Sequence, residues 1–248
     1  RHVSIPVRPW SVLHHYQNHW LESSAVRLRL PPYTAETSGR RGYHRAQASP
    51  SHSIHGCERS GVATVVTNPP TLPDYLKPGL DIVFVGINPG AYSARVGKYF
   101  ATPTNRFWRA LGASGIVEIN RRLVPGDEIW LIDTGIGFTD VVKRASSSAS
   151  DLRAADYLEW APVTRRKLED AAPLIICFNG LTGYQLYARY GHSLRIKPKL
   201  GEQSQRVGNS HIFVTPNPSP ANATFSLDTI SYWYRQLGNL RNRLKTAI

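Results

Sequence analysis

The sequence predicts a three-layer α/β/α protein, in which helices cover both faces of a mostly parallel central sheet of about four to five strands. Four short runs are almost entirely apolar, at residues 81–86, 128–132, 174–178 and 211–215. Continuously apolar strands are typical of a sheet that is buried on both faces. Stretches with helical spacing alternate with these runs, at residues 105–111, 163–171, 181–190 and 227–245. This alternation is typical of a parallel sheet whose strands are connected by helices.

Composition indicates the class of partner. The chain has 248 residues, and 30 Lys and Arg against 17 Asp and Glu give a formal net charge of +13. Such an excess favours a polyanionic partner, most simply nucleic acid. Only two cysteines are present, which excludes a disulfide scaffold and any four-cysteine metal site within this chain. No run approaches the ~18 consecutive apolar residues of a membrane span, so we expect no membrane partner.

The chain is predicted to have two parts, a basic and largely flexible N-terminal region at residues 1–70 and a catalytic domain at residues 71–248. The first part holds eight Arg, no Lys and three acidic residues, and its Ser- and Gly-rich stretch lacks apolar periodicity. This composition predicts nonspecific DNA affinity and a nuclear protein, although an Arg- and Ser-rich leader also fits import into mitochondria. His52, His55 and Cys57 have metal-ligand chemistry but no clear fourth ligand, so no metal site is predicted.

The loop after the first predicted strand is a candidate site, because ligands of such sheets bind beyond the carboxyl ends of the strands. Residues 86–90 read Gly-Ile-Asn-Pro-Gly. Asn88 precedes a proline, which holds its backbone extended and aims its side chain. The glycine spacing of a dinucleotide site is absent. A tight turn with a capping Asn is the alternative interpretation.

Two further loops have features of nucleic-acid recognition. Tyr99 and Phe100 lie between the basic residues Lys98 and Arg106, an arrangement that suits stacking on a base beside a phosphate backbone. Packing of this loop on the core is the alternative. Residues 215–223, Thr-Pro-Asn-Pro-Ser-Pro-Ala-Asn-Ala, contain three prolines, and a loop stiffened in this way could enter a DNA groove at little cost in ordering. The alternative interpretation is that this loop is a proline-stiffened connection without a binding role.

Together these motifs resemble the mismatch-specific uracil/thymine-DNA glycosylases, a branch of the uracil-DNA glycosylase superfamily. The resemblance rests on residues 86–90, residues 97–108, residues 135–140 (Gly-Ile-Gly-Phe-Thr-Asp) and residues 217–219, which occur in that order. The resemblance covers residues 72–248. The segment 135–139, with Lys143 and Arg144 after it, is more similar to the eukaryotic thymine-DNA glycosylases than to the bacterial mismatch enzymes. It implies a fold like that of uracil-DNA glycosylases.

The resemblance also implies an activity. The family hydrolyses the N-glycosidic bond of uracil, with thymine as a second base, mispaired with guanine, and thereby starts base-excision repair. It implies a monofunctional enzyme without a cofactor or metal, acting on double-stranded DNA as a monomer before downstream repair proteins.

The same resemblance implies roles for individual residues. Asn88 matches the residue that holds the attacking water, Phe100 the aromatic that stacks on the flipped base, and Ser146 a hydroxyl that supports the site. The residues expected around the base are Ile87, Tyr99, Phe100, Asp140, Ser146 and Asn217. Those expected to contact DNA are Ser93, Lys98, Asn105, Lys197, Lys199, Ser219, Pro220, Ala221, Asn222 and Ala223.

Two positions depart from the family pattern. Ala223 stands where the family usually has Arg or a comparable wedge, and DNA wedges are usually bulky apolar groups or Arg. Asp140 stands where the eukaryotic relatives tend to have Asn, and a carboxylate would repel the carbonyl oxygens of a pyrimidine. The alternatives are therefore a mismatch- or abasic-site-binding protein with little or no excision, and a nucleotide-binding α/β protein.

Overall fold

The computed structural model describes residues 71–247 as a five-stranded sheet flanked by helices. The strands are β1 (Ile82–Gly86), β2 (Ile136–Asp140), β3 (Ile175–Asn179), β4 (Gly201–Val207) and β5 (Ser210–Thr215). The helices are α1 (Ala91–Val96), α2 (Phe107–Ser114), α3 (Glu128–Leu131), α4 (Ala154–Ala171), α5 (Leu181–His192) and α6 (Leu227–Thr246), with short 3-10 helices at Ile132–Thr134 and Ala149–Asp151.

The sheet has the strand order β2-β1-β3-β5-β4. Strands β2, β1, β3 and β5 run parallel, and β4 pairs antiparallel with β5 at one edge. The predicted mostly parallel sheet of four to five strands is therefore confirmed.

Each face of the sheet has its own apolar core. Alternate side chains of a strand point to opposite faces, so Ile82 and Phe84 of β1 pack on one side while Val83 and Val85 pack on the other. Helices α2 and α6 cover the first face, and α4 and α5 cover the second. This arrangement is the three-layer architecture that the sequence predicts.

The prediction of a strand at residues 128–132 is wrong, because this run forms α3 and the following 3-10 helix. An acidic side chain lies at the start of that helix. Buried Glu128 accepts hydrogen bonds from the backbone N–H groups of Gly126 at 2.7 Å and Tyr99 at 2.9 Å. Glu128 also lies in the first turn of α3, where the partial positive charge of the helix N-terminus favours a carboxylate. The second strand of the sheet is Ile136–Asp140 instead.

Other predicted elements are found with altered bounds. The helix expected at residues 163–171 is the second half of α4, and the short helix α1 and the edge strand β4 were not predicted. Residues 1–70, including the proposed flexible region, lie outside the described residues. None of the helices within residues 71–247 combines the length and hydropathy needed to cross a membrane.

The sheet brings four strand ends to one edge. Gly86, Asp140, Asn179 and Thr215 are the last residues of β1, β2, β3 and β5, and these strands are parallel neighbours. Gly201 at the start of β4 pairs with Val214, so the segment before β4 lies at the same edge. The predicted loops therefore meet at one place.

Candidate active site

A cavity of about 380 Å³ opens at the carboxyl edge of the sheet. The loops that follow β1, β2 and β5 form its walls, and Phe100 and Tyr99 close one side. The predicted site residues that line it are Ile87, Asn88, Ser93, Tyr99, Phe100, Asn105, Asp140, Ser146, Asn217, Ser219, Pro220 and Ala221. Chain folding therefore gathers in one cavity residues that lie as much as 134 positions apart in the sequence, from Ile87 to Ala221.

The side chain of Asn88 has a fixed orientation. Its Nδ2 atom donates to the Ser146 hydroxyl at 2.8 Å, to the Arg144 carbonyl at 3.0 Å and to the Pro89 carbonyl at 3.2 Å. Because carbonyl oxygens can only accept, these contacts settle which amide atom is nitrogen. Within the described residues Oδ1 accepts no hydrogen bond from protein, and it is not sealed from solvent. An acceptor is thus left open at the cavity wall.

Ser146 connects the loop that follows β2 to the loop that follows β1. Its hydroxyl donates to the Ser148 carbonyl at 2.7 Å, so it can only accept from Asn88. Its backbone carbonyl accepts from Ala91 N–H at 2.9 Å, and its N–H donates to the Pro89 carbonyl at 3.1 Å. The amide of Asn88 is therefore anchored to a rigid pair of loops.

Phe100 lies half-buried beside the cavity in a left-handed backbone conformation, with φ 51°. Its ring stacks on Phe107, with centroids 4.1 Å apart and an interplanar angle of 16°. Hydrogen bonds hold the backbone on both sides, since Tyr99 N–H donates to Glu128 and Ala101 N–H donates to the Ser93 hydroxyl at 3.0 Å. A non-glycine residue with positive φ is uncommon and marks a conformation that its surroundings impose.

Tyr99 and Ser93 support the wall rather than project into the cavity. Tyr99 is 1 % exposed, its hydroxyl donates to the Pro73 carbonyl at 3.1 Å, and its carbonyl accepts from the Trp108 indole at 2.9 Å. For Tyr99 the loop is packed on the core, as the alternative interpretation of this segment expects.

Asp140 forms the floor of the cavity. It is 2 % exposed, and its Oδ2 atom has no hydrogen-bond partner within the described residues. Burial is the main cause that raises the pKa of Asp140 to about 6, with the attraction of Lys143 opposing the rise and the repulsion of Asp74 adding to it. A side chain at Gly86 is excluded here, because a Cβ atom would overlap Asp140 Oδ1.

The proline-stiffened loop after β5 is held by Arg106. The guanidinium donates to the carbonyls of Ser219 at 2.7 Å, Asn222 at 2.6 Å and Pro218 at 3.3 Å, and to the carbonyl of Phe225. Asn217 shapes the loop from within, since its Oδ1 accepts from Ser219 N–H at 2.9 Å. Arg106 therefore contacts its own chain in this structure.

Comparison with known proteins decides the family. The model of the uracil DNA glycosylase superfamily matches residues 73–238, which is more than half of the chain. The chain belongs to the uracil DNA glycosylase superfamily. The solution NMR structure of a protein from Methanosarcina acetivorans, described as a "putative Uracil DNA glycosylase", is 23% identical, with a TM-score of 0.46 over 71% of this chain and 98% of that chain.

Membership of the uracil DNA glycosylase superfamily makes DNA the substrate and glycosidic-bond hydrolysis the chemistry. The remaining predicted DNA contacts lie outside this cavity. Lys98 is exposed and its side chain lies near Gly126, and Ala223 is exposed at the end of the loop. Asn222 lines a neighbouring cavity. Lys197 and Lys199 line a separate cavity of about 280 Å³.

Three residues have roles at this superfamily member's site that the sequence alone does not assign. Arg106 fastens the loop after β5, Glu128 fastens the backbone before Phe100, and Asn179 lines the cavity from the end of β3. Arg106 and Glu128 act on backbone groups, which leave no pattern in the sequence. Asn179 ends an apolar run directly before a glycine, and the sequence marks that strand end as a place where a ligand could bind, without a role for the residue.

Proposed function

We propose that this member of the superfamily is a monofunctional DNA glycosylase that hydrolyses the N-glycosidic bond of uracil mispaired with guanine, with thymine as a second base. The observation that carries the proposal is the orientation of Asn88. Its amide nitrogen is bound to three acceptors, and its Oδ1 is open at the cavity wall. An acceptor fixed in this way can bind one hydrogen of a water molecule and aim the oxygen at a sugar carbon.

The amide can hold water but cannot remove its proton. Cleavage of a glycosidic bond passes through an oxocarbenium-like sugar, and such a cation reacts with water that is placed but not deprotonated. The absence of a general base costs roughly 10²–10⁴-fold in rate. We therefore expect slow chemistry that depends on stabilisation of the departing base.

The base must leave the duplex before it can reach the cavity. A base inside the stack is inaccessible to the enzyme, and mispairing lowers the cost of flipping it out. This favours G·U and G·T pairs over A·U. Phe100, supported by Phe107, offers a stacking surface to the flipped base, and residues 217–223, held by Arg106, would occupy the space left in the duplex.

The environment of Lys143 supports monofunctional chemistry. A lyase step needs an amine that attacks the sugar, and no lysine is among the described residues that line the cavity. Lys143, the nearest in sequence to Asp140, is 7 % exposed and forms an ion pair with Asp74. Its ammonium also donates to the Leu72 carbonyl at 3.2 Å, so it is not available as a nucleophile.

The released product, an abasic site opposite guanine, requires further enzymes. We propose that the protein acts on DNA as a monomer, in the nucleus or in mitochondria, and passes this site to downstream repair proteins. Exposed Lys197 and Lys199, at the same sheet edge as the cavity, are proposed to contact the phosphate backbone.

A second candidate is a mismatch- or abasic-site-binding protein with little excision. The exposed, small Ala223 favours it, as does the buried carboxylate of Asp140, whose Oδ2 atom has no partner within residues 71–247. Because both candidate proteins bind DNA, a binding measurement cannot distinguish them. Only a measurement of glycosidic-bond cleavage can.

The test is single-turnover excision from labelled duplexes containing G·U, G·T or A·U and from single-stranded DNA containing uracil. Alkali cleaves the strand wherever a base has been removed. We expect cleavage at G·U first, weaker cleavage at G·T, and least at A·U, with Asn88→Ala as the control that binds without cutting. Binding of G·U duplex by the wild type without alkali-labile product would establish the second candidate instead.

A further inference from the structure

The charge of Asp140 has no counterpart within the cavity. Among the described residues that line the cavity, Asp140 is the only one with a charged side chain. A buried carboxylate takes up a proton unless a cation lies nearby. Arg144 follows on the same loop, but its guanidinium donates to Asp156 at 2.6 Å and 2.9 Å. A cation that keeps Asp140 ionised must therefore lie behind the cavity wall.

Lys143 provides that cation from a buried cluster of charged side chains. It is 7 % exposed, and its ammonium forms an ion pair with Asp74. Asp74 also accepts from the ammonium of Lys167, on α4, at 2.7 Å and from the Thr139 hydroxyl at 2.6 Å. Burial would raise the pKa of Asp74, but these contacts lower it below its usual value. With Asp140, the cluster has two carboxylates and two ammonium groups, so its charges balance only when Asp140 is ionised.

The two lysines of this cluster differ in their relation to Asp140. Burial raises the pKa of Asp140 to about 6, and the attraction of Lys143 is the largest effect that opposes this rise. The repulsion of Asp74 adds to the rise, and the hydroxyl of Tyr99 opposes it. These titratable groups face Asp140 from the loop after β2, the segment before β1 and the segment before α2. Lys167 contacts Asp74 instead.

On the basis of the proposed function, we propose that Lys143 is a positioning residue, whose buried charge keeps Asp140 a carboxylate that accepts a hydrogen bond from the ring N–H of the flipped base. The unpartnered Oδ2 atom of Asp140 provides the acceptor. A protonated carboxyl group accepts more weakly and brings a second donor beside the ring N–H. Entry of the base expels water from the cavity, which strengthens the attraction between Asp140 and Lys143. Lys143 acts only through Asp140, since it does not line the cavity.

The test is the pH dependence of single-turnover uracil excision from G·U duplex by the wild type and by Lys143→Met. Because the carboxylate is the active form, the rate should fall as the pH drops through the pKa of Asp140, which is about 6 in the wild type. Methionine fills similar space without the charge. We expect the pH of half-maximal rate to rise by about one to two units, which lowers the rate at pH 7 by about two- to tenfold. Raising the pH to 8.5 should restore most of this loss.

Two further variants separate this role from a structural one. Lys167→Met removes the other ammonium that contacts Asp74 and should leave the pH of half-maximal rate unchanged. Asp74→Asn removes a repulsion on Asp140 and should move that pH downward, opposite to the effect of Lys143→Met. If Lys143 served only to hold Asp74 in place, both lysine variants and Asp74→Asn would lower the rate equally at every pH.

An unchanged pH of half-maximal rate in Lys143→Met, or equal shifts in the two lysine variants, would overturn the assignment of Lys143. If Lys143→Met does not fold, Asp74→Asn decides the matter, because a downward shift supports the proposal and an unchanged pH overturns it.

A measurement without substrate keeps this result distinct from the proposed function. If the wild type removes no uracil, the proposed function fails, and the titration of Asp140 is then followed by thermal unfolding. The difference in melting temperature between a protein and its Asp140→Asn derivative grows with pH and levels off above the folded-state pKa of Asp140. In the Lys143→Met background it should level off about one to two units higher than in the wild type, and levelling at the same pH would overturn the proposal.

Discussion

The guanidinium of Arg106 donates a 2.7 Å hydrogen bond to the backbone carbonyl of Ser219, 113 residues further along the chain. Three more carbonyls of the same loop accept from this side chain. The planar fork of an arginine suits several fixed acceptors at once, whereas the single ammonium of a lysine does not. The shape of the loop proposed to enter DNA is thus set by a residue at the start of α2.

Replacement of Arg106 should therefore make the loop after β5 more mobile while leaving the rest of the fold intact. We expect Arg106→Gln to weaken binding of abasic duplex by about tenfold, because the loop must then be ordered on binding, and Arg106→Lys to recover only part of this. Arg109→Gln, at an exposed position of the same helix, is the control for loss of charge. Equal weakening by the two glutamine variants would show that charge alone matters.

The contacts of Asn88 predict graded effects at two positions. Asn88→Ala should lower single-turnover excision of uracil by at least about 10²-fold, as expected when a reactant is no longer positioned, and should leave binding of G·U duplex intact. Ser146→Ala should cost about tenfold, because one hydrogen bond is lost and two carbonyls still hold the amide. Rates equal to wild type in both variants would remove Asn88 from the chemistry.

Burial of Asp140 predicts how stability depends on pH. Its pKa is about 6 in the folded protein against 3.8 for the unperturbed group, so the folded state holds this proton more tightly than the unfolded chain does. The contribution to stability is fully present below pH 3.8 and is lost as the pH rises through 6. Asp140→Asn should relieve a cost of about 3 kcal/mol at pH 8.

Thermal unfolding of wild type and Asp140→Asn between pH 4.5 and 8 measures this effect. The melting temperature of the variant should exceed that of the wild type by a margin that grows with pH, while the titration of other groups cancels in the difference. A margin that does not change with pH would show that the carboxyl group keeps an ordinary pKa.

The small side chain of Ala223 predicts a gain of binding. Ala223→Arg places a bulky cation at an exposed end of the loop, where it can fill the space left by the flipped nucleotide and approach a phosphate. We expect about tenfold tighter binding of G·U duplex and of abasic product, measured by gel shift, with slower multiple turnover and unchanged or faster single turnover. Unchanged affinity for both would mean that another segment enters the DNA.

The sequence predicted the strands that are continuously apolar, because burial on both faces leaves a strong pattern at β1, β3 and β5. It missed β4, whose residues Gly-Glu-Gln-Ser-Gln-Arg-Val alternate between exposed and covered positions at the sheet edge. It misassigned residues 128–132, because Glu128 is fully buried as an acceptor of backbone N–H groups. Side chains that bind backbone are outside what hydrophobic periodicity can detect.

The candidate site was predictable where it follows the strand ends. Asn88 lies directly beyond the predicted first strand, whereas Asp140 ends the strand Ile136–Asp140, which the sequence did not predict. The order of the family's motifs identified Asp140 and the loop at 217–223. The role of Arg106 depends on the backbone carbonyls that folding brings around its guanidinium, and the unpartnered Nδ2 atom of Asn179 is likewise visible only in the folded structure.

The left-handed backbone of Phe100, with φ 51°, has a consequence for engineering. Glycine adopts such a conformation without the steric cost that a side chain meets, but the ring of Phe100 packs against Phe107 and the core, and loss of that packing would cost more than the strain. The stacking surface beside the cavity would be lost with the ring. Mutagenesis that aims at higher thermal stability should therefore leave residue 100 unchanged. It should instead improve packing in the core on the opposite face of the sheet, which α4 and α5 cover.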